Sequence, residues 1–324
     1  MRIIVNGQQA FGKACLEAML DRGDDIVAVY CAPDKEGKPA DPVKEFALEK
    51  GLTLIQPPNY KDSDVLDEMR ALNADLMVMA FMIIFVPEDA RDIPTLGSIC
   101  FHPSLLPKHR GPSSINWPIM AGATKTGLSI FWPDDGLDEG DILLQKEIDI
   151  GPDDTLGSIY FDNIFPLGVE AVLEAVDLVK AGDPPHISQD DSQSTYESWC
   201  KKEHAEIDWS KPVDEVYNLI RGTNPQPGAW TVHDGNELKI FDCAKVDASR
   251  EPGEVTDVGA DGFTVACAGG GIEVKRVRPH DDKKIAAAGD AMDKATREID
   301  LAKSEVGFTG KNVKTAEAHL EKAR

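Results

Sequence analysis

The sequence predicts an α/β fold: a mostly parallel, Rossmann-like sheet, followed by a small β-barrel and a helical tail. Three observations carry this. Over residues 1–80, short β-forming runs alternate with helical stretches, the pattern of a parallel sheet with right-handed crossovers. From residue 229 to 278 the pattern changes to short β runs, several separated by Gly-containing turns, which suggests a small barrel. Residues 281–324 are rich in Ala and Lys with a largely helical pattern, and carry nine basic and nine acidic residues. Domain boundaries are expected at 1–203, 204–280 and 281–324.

The elements follow in order. Residues 2–6 are a β run ending in Gly7, and residues 10–22 place Leu16, Met19 and Leu20 on one helical face. Residues 25–30 (DIVAVY), 52–55 and 75–80 (DLMVMA) read as strands, with helices at 42–50 and 62–72 between them. The turn GQQAFG is not the GxGxxG fingerprint, so a dinucleotide site is not expected. Residues 80–87, AFMIIFVP, form an apolar loop whose composition alone says core packing. Residues 98–101 are a β run that breaks at His102 into a Pro-punctuated loop, and the run 127–132 leads into a second loop, 133–141 (PDDGLDEGD). Both loops are expected at the C-terminal ends of strands in a parallel sheet, where open α/β folds bind ligands. Residues 113–121 read as a helix and 142–150 as a β run. Residues 155–181 read as helix, with Pro166 and Gly168 expected to kink or break it. Residues 182–194, GDPPHISQDDSQS, have linker composition, and a helix is expected over 213–221.

Composition narrows the class. Hydrophobic residues make up 42% of 324, as in ordinary globular protein. No apolar run approaches the roughly 20 residues of a membrane span. The N-terminus is already a strand and turn, so it does not read as a signal peptide. Six cysteines without CxxC spacing argue against a zinc site or a disulfide framework and suit a reducing cytoplasm. The net charge of −23 repels phosphate backbones, so a nucleic-acid partner would need a local basic patch; acidity also serves solubility alone.

His102 and Asp138, 36 residues apart, could meet as a proton-transfer pair, with the carboxylate orienting the ring or stabilising its charged form. By spacing alone a structural His and a simple turn are the commoner reading. The motifs go further: HPSLLPKHRG followed by PDDGLDEGD resembles the signature of the folate-dependent formyltransferase family. That family includes methionyl-tRNA, glycinamide ribonucleotide and sugar-nucleotide formyltransferases and the hydrolase module of 10-formyltetrahydrofolate dehydrogenase.

The resemblance implies the formyltransferase fold and 10-formyltetrahydrofolate as co-substrate, with tetrahydrofolate released and no metal. Moving the formyl group from N10 requires attack at the formyl carbon, an oxyanion, and a proton for the departing nitrogen. The resemblance assigns proton transfer to His102, and to Asp138 the holding of that His and an ordered water. It implies that Ile84, Phe85 and Val86 line the folate pocket through their backbone, and that residues 133–138 close its other side. It implies that Ser104, Leu105, Leu106 and Pro107 shape the folate-binding loop. Where most transferases carry an Asn donor to the oxyanion, this chain has Cys100, a weak donor. The hydrolase module departs at the same place. Four stretches (GQQAFG, PDKEGK, HPSLLPKHRGPSSINW and IFWPDDGLDEGDILLQKE) also resemble that module.

The stretch IDWSKPVDEVYNLIRGTNPQPGAWT resembles the OB-like C-terminal domain of the methionyl-tRNA and dehydrogenase branches, so the likeness covers about residues 1–280. Residues 204–280 hold eight basic and thirteen acidic residues, poor footing for tRNA. Carrier-like and aldehyde-dehydrogenase regions are lacking, so NADP chemistry is not expected. The leading expectation is a cytoplasmic enzyme releasing tetrahydrofolate, with water or a small amine as acceptor and no membrane partner. The alternatives are a methionyl-tRNA or other amine or sugar-nucleotide formyltransferase, and a non-catalytic folate-binding module. The oligomeric state stays open.

Overall fold

The structure, a computed structural model, describes residues 1–233, 235–259 and 262–279 and the backbone of 285–286. It divides into two compact units. The first comprises residues 1–114, 125–149 and 159–198; the second comprises residues 115–124 and 150–158 together with the chain from 199 onward.

The first unit is built on a seven-stranded sheet: β1 (Arg2–Gly7), β2 (Asp25–Tyr30), β3 (Leu54–Ile55), β4 (Leu76–Ala80), β5 (Ser98–His102), β6 (Lys125–Phe131) and β7 (Ile142–Asp149), in the order β3-β2-β1-β4-β5-β6-β7. The central strands are buried on both faces, as a sheet covered on two sides requires. Ile4, Ala28, Tyr30, Met77 and Met79 share a cluster with Leu66 and Met69 of the helix Ser63–Ala71. By the two-residue period of a strand, Ile3, Val5 and Val78 point to the opposite face. The helix Gln9–Asp21 packs against the helices Pro42–Glu49 and Phe165–Ala181. The GQQAFG turn is steric: a Cβ on Gly7 would lie 2.7 Å from the Ala80 carbonyl oxygen, and one on Gly12 would lie 2.9 Å from the Gly7 carbonyl carbon. These glycines let helix and strands approach closely.

The sheet is parallel from β3 to β5 and antiparallel at β6 and β7. This corrects the expectation that both site loops leave the C-terminal ends of parallel strands. Ser129 of β6 lies opposite His102 and Phe131 opposite Cys100, so the loop after β6 starts at the far end of β5 and must run back toward His102. The connection between β5 and β6 runs over residues 103–124 and holds one α-helix of five residues, Asn116–Met120.

The long helix expected over 155–181 is interrupted before its proline rather than at it. A π-helical turn, Ile159–Ile164, precedes the α-helix Phe165–Ala181, and Pro166 sits in the first turn, where no N–H is needed. Gly168 faces the sheet where a Cβ would lie 2.8 Å from the Phe101 ring and 2.9 Å from the Phe11 ring.

The second unit is an antiparallel sheet: β8 (Ala229–His233), β9 (Asn236–Val246), β10 (Val255–Gly259), β11 (Gly262–Cys267), β12 (Gly270–Pro279) and β13 (Ile285–Ala286), in the order β10-β11-β12-β9-β8 with β13 on β12. The helix Val213–Gly222 lays Val216, Tyr217 and Ile220 on Ile240, Ile272, Val274 and Val277. Its Tyr217 hydroxyl donates to Asp153, and Arg221 donates to the carbonyls of Gly151 and Asp154, which ties residues 150–158 to this unit. Of the tail expected to be helical, only Ile285–Ala286 lies among the described residues, as a strand.

Candidate active site

His102 ends β5 and is buried, and Cys100, two residues earlier, shares its face of the strand. The His102 Nε2 lies 2.9 Å from the backbone oxygen of His109. A carbonyl only accepts, so Nε2 carries a proton and donates it. The other ring nitrogen, Nδ1, lies 3.6 Å from Asp138 Oδ2. That distance is long for a hydrogen bond. Asp138 Oδ2 in turn accepts from the Gly111 backbone N–H at 2.9 Å. The returning loop therefore brings Asp138 to His102 as the motif reading expects.

What holds the two loops together is the segment with linker composition. Gln189 donates from its side-chain amide to the carbonyls of Asp138 and Gly140, at 2.9 and 2.7 Å. The buried Arg110 guanidinium donates to Gln189 and Asp191 and faces Glu139 at 3.7 Å. Thr195 N donates to the Pro107 carbonyl, Arg110 N to that of Thr195, and Glu197 N to that of Arg110. Trp132 donates its indole N–H to the Pro185 carbonyl, and Ile187 pairs with Ile142. Residues 185–197 thus form a strap across both site loops. Sequence reading assigned no role to Gln189, Asp191, Thr195 or Glu197. Their Pro, Ser and Asp-rich setting carries no signal of it, and their partners lie about 50 to 90 residues away in the chain.

Beneath the loops a polar network sets the path of residues 104–107. The fully buried Ser129 hydroxyl donates to the Ser104 carbonyl and accepts from Leu106 N–H and from the Gln145 amide. Ser104 is fully buried and donates its hydroxyl to the Lys108 carbonyl. Leu105 lies against Gly127, and Leu106 packs with Phe131, Ile142 and Cys100. These side chains are taken up by protein contacts, so they shape the loop. Burial pushes the Cys100 thiol well above the ordinary thiol range, and the nearby Asp138 carboxylate adds to it. Cys100 is therefore a neutral thiol and a poor nucleophile.

β4 pairs in parallel with β5, Met79 opposite Cys100, so the loop after Ala80 leaves the sheet at the same end as His102. Phe81 opens it at φ 65°. Val86 is buried, Ile84 is partly buried against the same cluster as Cys100, and the Phe85 side chain is 63% exposed. Among the described residues, no hydrogen bond engages the backbone of 81–86. An apolar surface with unengaged backbone donors and acceptors suits a flat heteroaromatic ring. Leu137, beside Asp138, is also exposed. Among the described residues, no group of three or more His, Cys, Asp or Glu could hold a metal. No helix of those residues is long and apolar enough to cross a membrane.

Known proteins resemble this chain in sequence and in fold. The sequence profile of the formyl transferase family matches residues 1–175, and that of the formyl transferase C-terminal domain matches residues 200–293. The cytosolic 10-formyltetrahydrofolate dehydrogenase of Xenopus laevis is 42% identical over 246 residues, covering 74% of this chain and 27% of that protein. The chain thus spans about a quarter of that relative's length. The methionyl-tRNA formyltransferase of Geotalea uraniireducens is 37% identical over 297 residues, covering 90% of this chain and 94% of that protein. Among solved structures, HypX from Aquifex aeolicus in complex with tetrahydrofolic acid has a similar fold, with a TM-score of 0.66 at 19% identity, covering 90% of this chain and 46% of that one. The chain belongs to the folate-dependent formyltransferase family.

Proposed function

We propose that this protein takes the formyl group from 10-formyltetrahydrofolate and releases tetrahydrofolate, with water or a small amine as acceptor. The observation that carries the reading is the state of His102: one nitrogen donates to a carbonyl and the other faces a carboxylate. Such a ring has one site free to take up a proton, and Asp138 stabilises it once the proton is there. Nδ1 takes the proton of the attacking acceptor and gives it up toward the departing nitrogen. Asp138 holds the charge in between and is itself aimed by Gly111 N–H. The folate supplies the formyl group on its N10. Residues 84–86 offer backbone partners to its ring, and the loop carrying Leu137 and Asp138 covers the other side. Every residue in this assignment lies in the first compact unit, within the catalytic stretch 1–203. The sheet of 204–280 is read as the OB-like domain, and the protein as cytoplasmic.

Hydrolysis is preferred over transfer because Cys100 stands where most transferases carry an Asn, a departure that the hydrolase module shares. A methionyl-tRNA formyltransferase is the second reading, favoured by the match to such an enzyme over 94% of its length. The charge of −23 supports the first. Incubation with 10-formyltetrahydrofolate, with and without charged initiator tRNA, separates them. Tetrahydrofolate is expected in both reactions; turnover only with the tRNA overturns the preference.

A further inference from the structure

Besides Phe81, two non-glycine residues of the site hold left-handed backbone conformations, His109 at φ 58° and Asp138 at φ 59°. Residues with a Cβ keep such angles only where their neighbours hold them. Asp138 is held through its carboxylate by Gly111 and through its carbonyl by Gln189. His109 is held from the strap at two points. Its N–H donates to Thr195 Oγ1 at 2.8 Å, and its ring Nδ1 donates to Glu197 Oε1 at 3.0 Å. The other Glu197 oxygen is buried and has no hydrogen-bond partner among the described residues, so the carboxylate is committed to His109. The consequence of holding His109 this way is the direction of its carbonyl, which meets His102 Nε2 at 2.9 Å.

That contact resolves a competition. Asp138 favours a proton on Nδ1 of a neutral His102 ring, and that tautomer would turn the basic Nε2 onto a carbonyl oxygen, where it can do nothing. The His109 carbonyl favours the proton on Nε2 and leaves Nδ1 as the base. At 2.9 Å against 3.6 Å the carbonyl prevails in the neutral ring, and both partners are satisfied once the ring is cationic.

We propose that Thr195 and Glu197 are positioning residues for His102: they hold the left-handed turn at His109 whose carbonyl keeps the His102 proton on Nε2. The proposal rests on His102 being the proton-transfer group. A contact of the strap with the loop from the other side fits it, since a Cβ on Gly111 would lie 2.4 Å from the Glu197 carbonyl oxygen.

The test uses the full chain labelled with ¹⁵N-histidine, the His102 signals being assigned by their loss in His102→Ala. The unmodified protein should show a neutral His102 ring protonated on Nε2. Thr195→Val and Glu197→Ala should each mix the two tautomers. They should lower kcat for formyl release about tenfold, with KM for 10-formyltetrahydrofolate within about twofold. Glycine takes a positive φ without strain. Adding His109→Gly to Glu197→Ala should therefore restore the Nε2 signature and bring kcat to within about threefold of the unmodified protein. A ring protonated on Nδ1 in the unmodified protein overturns the proposal. So does a Glu197→Ala protein with unchanged tautomer and kcat, or a double variant no better than Glu197→Ala. Should Glu197→Ala fail to fold, Thr195→Val, which removes only a hydroxyl, carries the comparison. If the unmodified protein releases no formyl group, the proposed reaction fails, while the nitrogen spectra still decide the tautomer.

Discussion

Two histidine–carboxylate pairs stand side by side in this site and differ in ways that separate work from support. His109 and Glu197 make a direct hydrogen bond at 3.0 Å, while His102 and Asp138 stand 3.6 Å apart. In the proposed reaction the looser pair is the one that moves the proton. A carboxylate bonded tightly to the ring would hold the proton on that nitrogen, whereas one at a short remove stabilises the charged ring without owning its proton. The tighter pair fixes a backbone angle, for which a permanent bond is the better device.

The largest effect should come from breaking the looser pair. His102→Ala and Asp138→Ala are each expected to lower turnover about 10²–10⁴-fold, read as tetrahydrofolate released from 10-formyltetrahydrofolate. Since the two act as a unit, the double variant should be little slower than the worse single one. Strictly multiplicative losses would show that they work independently and remove Asp138 as the partner of His102.

A smaller change should sharpen the pair's surroundings. Cys100→Asn places an amide donor on the same strand face as His102. With an amine acceptor, turnover should rise about tenfold or more, toward the 10²–10³ that one oxyanion donor is worth. Tight folate binding with no formyl release by either protein would make the chain a binding module, and the assignment of His102 to catalysis would fall.

The smallest effect belongs to a carboxylate that only supports. The side chain of Asp24 is shielded from solvent, which works against its charge, but the hydrogen bonds and charges of Lys180 and Arg22 together outweigh this and hold its carboxyl below the ordinary range. A folded pKa below the unfolded one means that Asp24 stabilises the fold above the ordinary carboxylate pKa. That contribution is lost as pH falls through the folded value. Asp24→Asn should therefore lower the midpoint of urea unfolding at neutral pH. The gap to the unmodified protein should close on acidification below about pH 4, with kcat unchanged at neutral pH. A gap that persists at low pH would show that the ion pairs are not its source.

The local signals in the chain settled most of the first sheet. Continuous apolar runs within 2–6, 25–30 and 75–80 mark strands buried on both faces, and the helices between them point to a parallel order. His102 and Asp138 could be picked out because their motifs are contiguous, each a few residues of loop chemistry. The direction of β6 could not be read that way. A β run looks the same from either end, and only its pairing with β5 in the folded sheet decides which way the chain returns.

The strap is the clearest case of what tertiary structure alone decided. Residues 182–194 have the composition of a linker, and the turn they form around Asp190 is local, but the bonds that make them a strap go to distant loops. Gln189 reaches back 51 residues to Asp138, and Glu197 reaches 88 to His109. Composition and periodicity report what a segment can do with its neighbours in sequence. The tautomer of His102 depends on a carbonyl seven residues away whose angle is held by side chains from the far end of the unit. A preference that balances one hydrogen bond against another is set by distances of a few tenths of an ångström, and those exist only once the loops have been brought together.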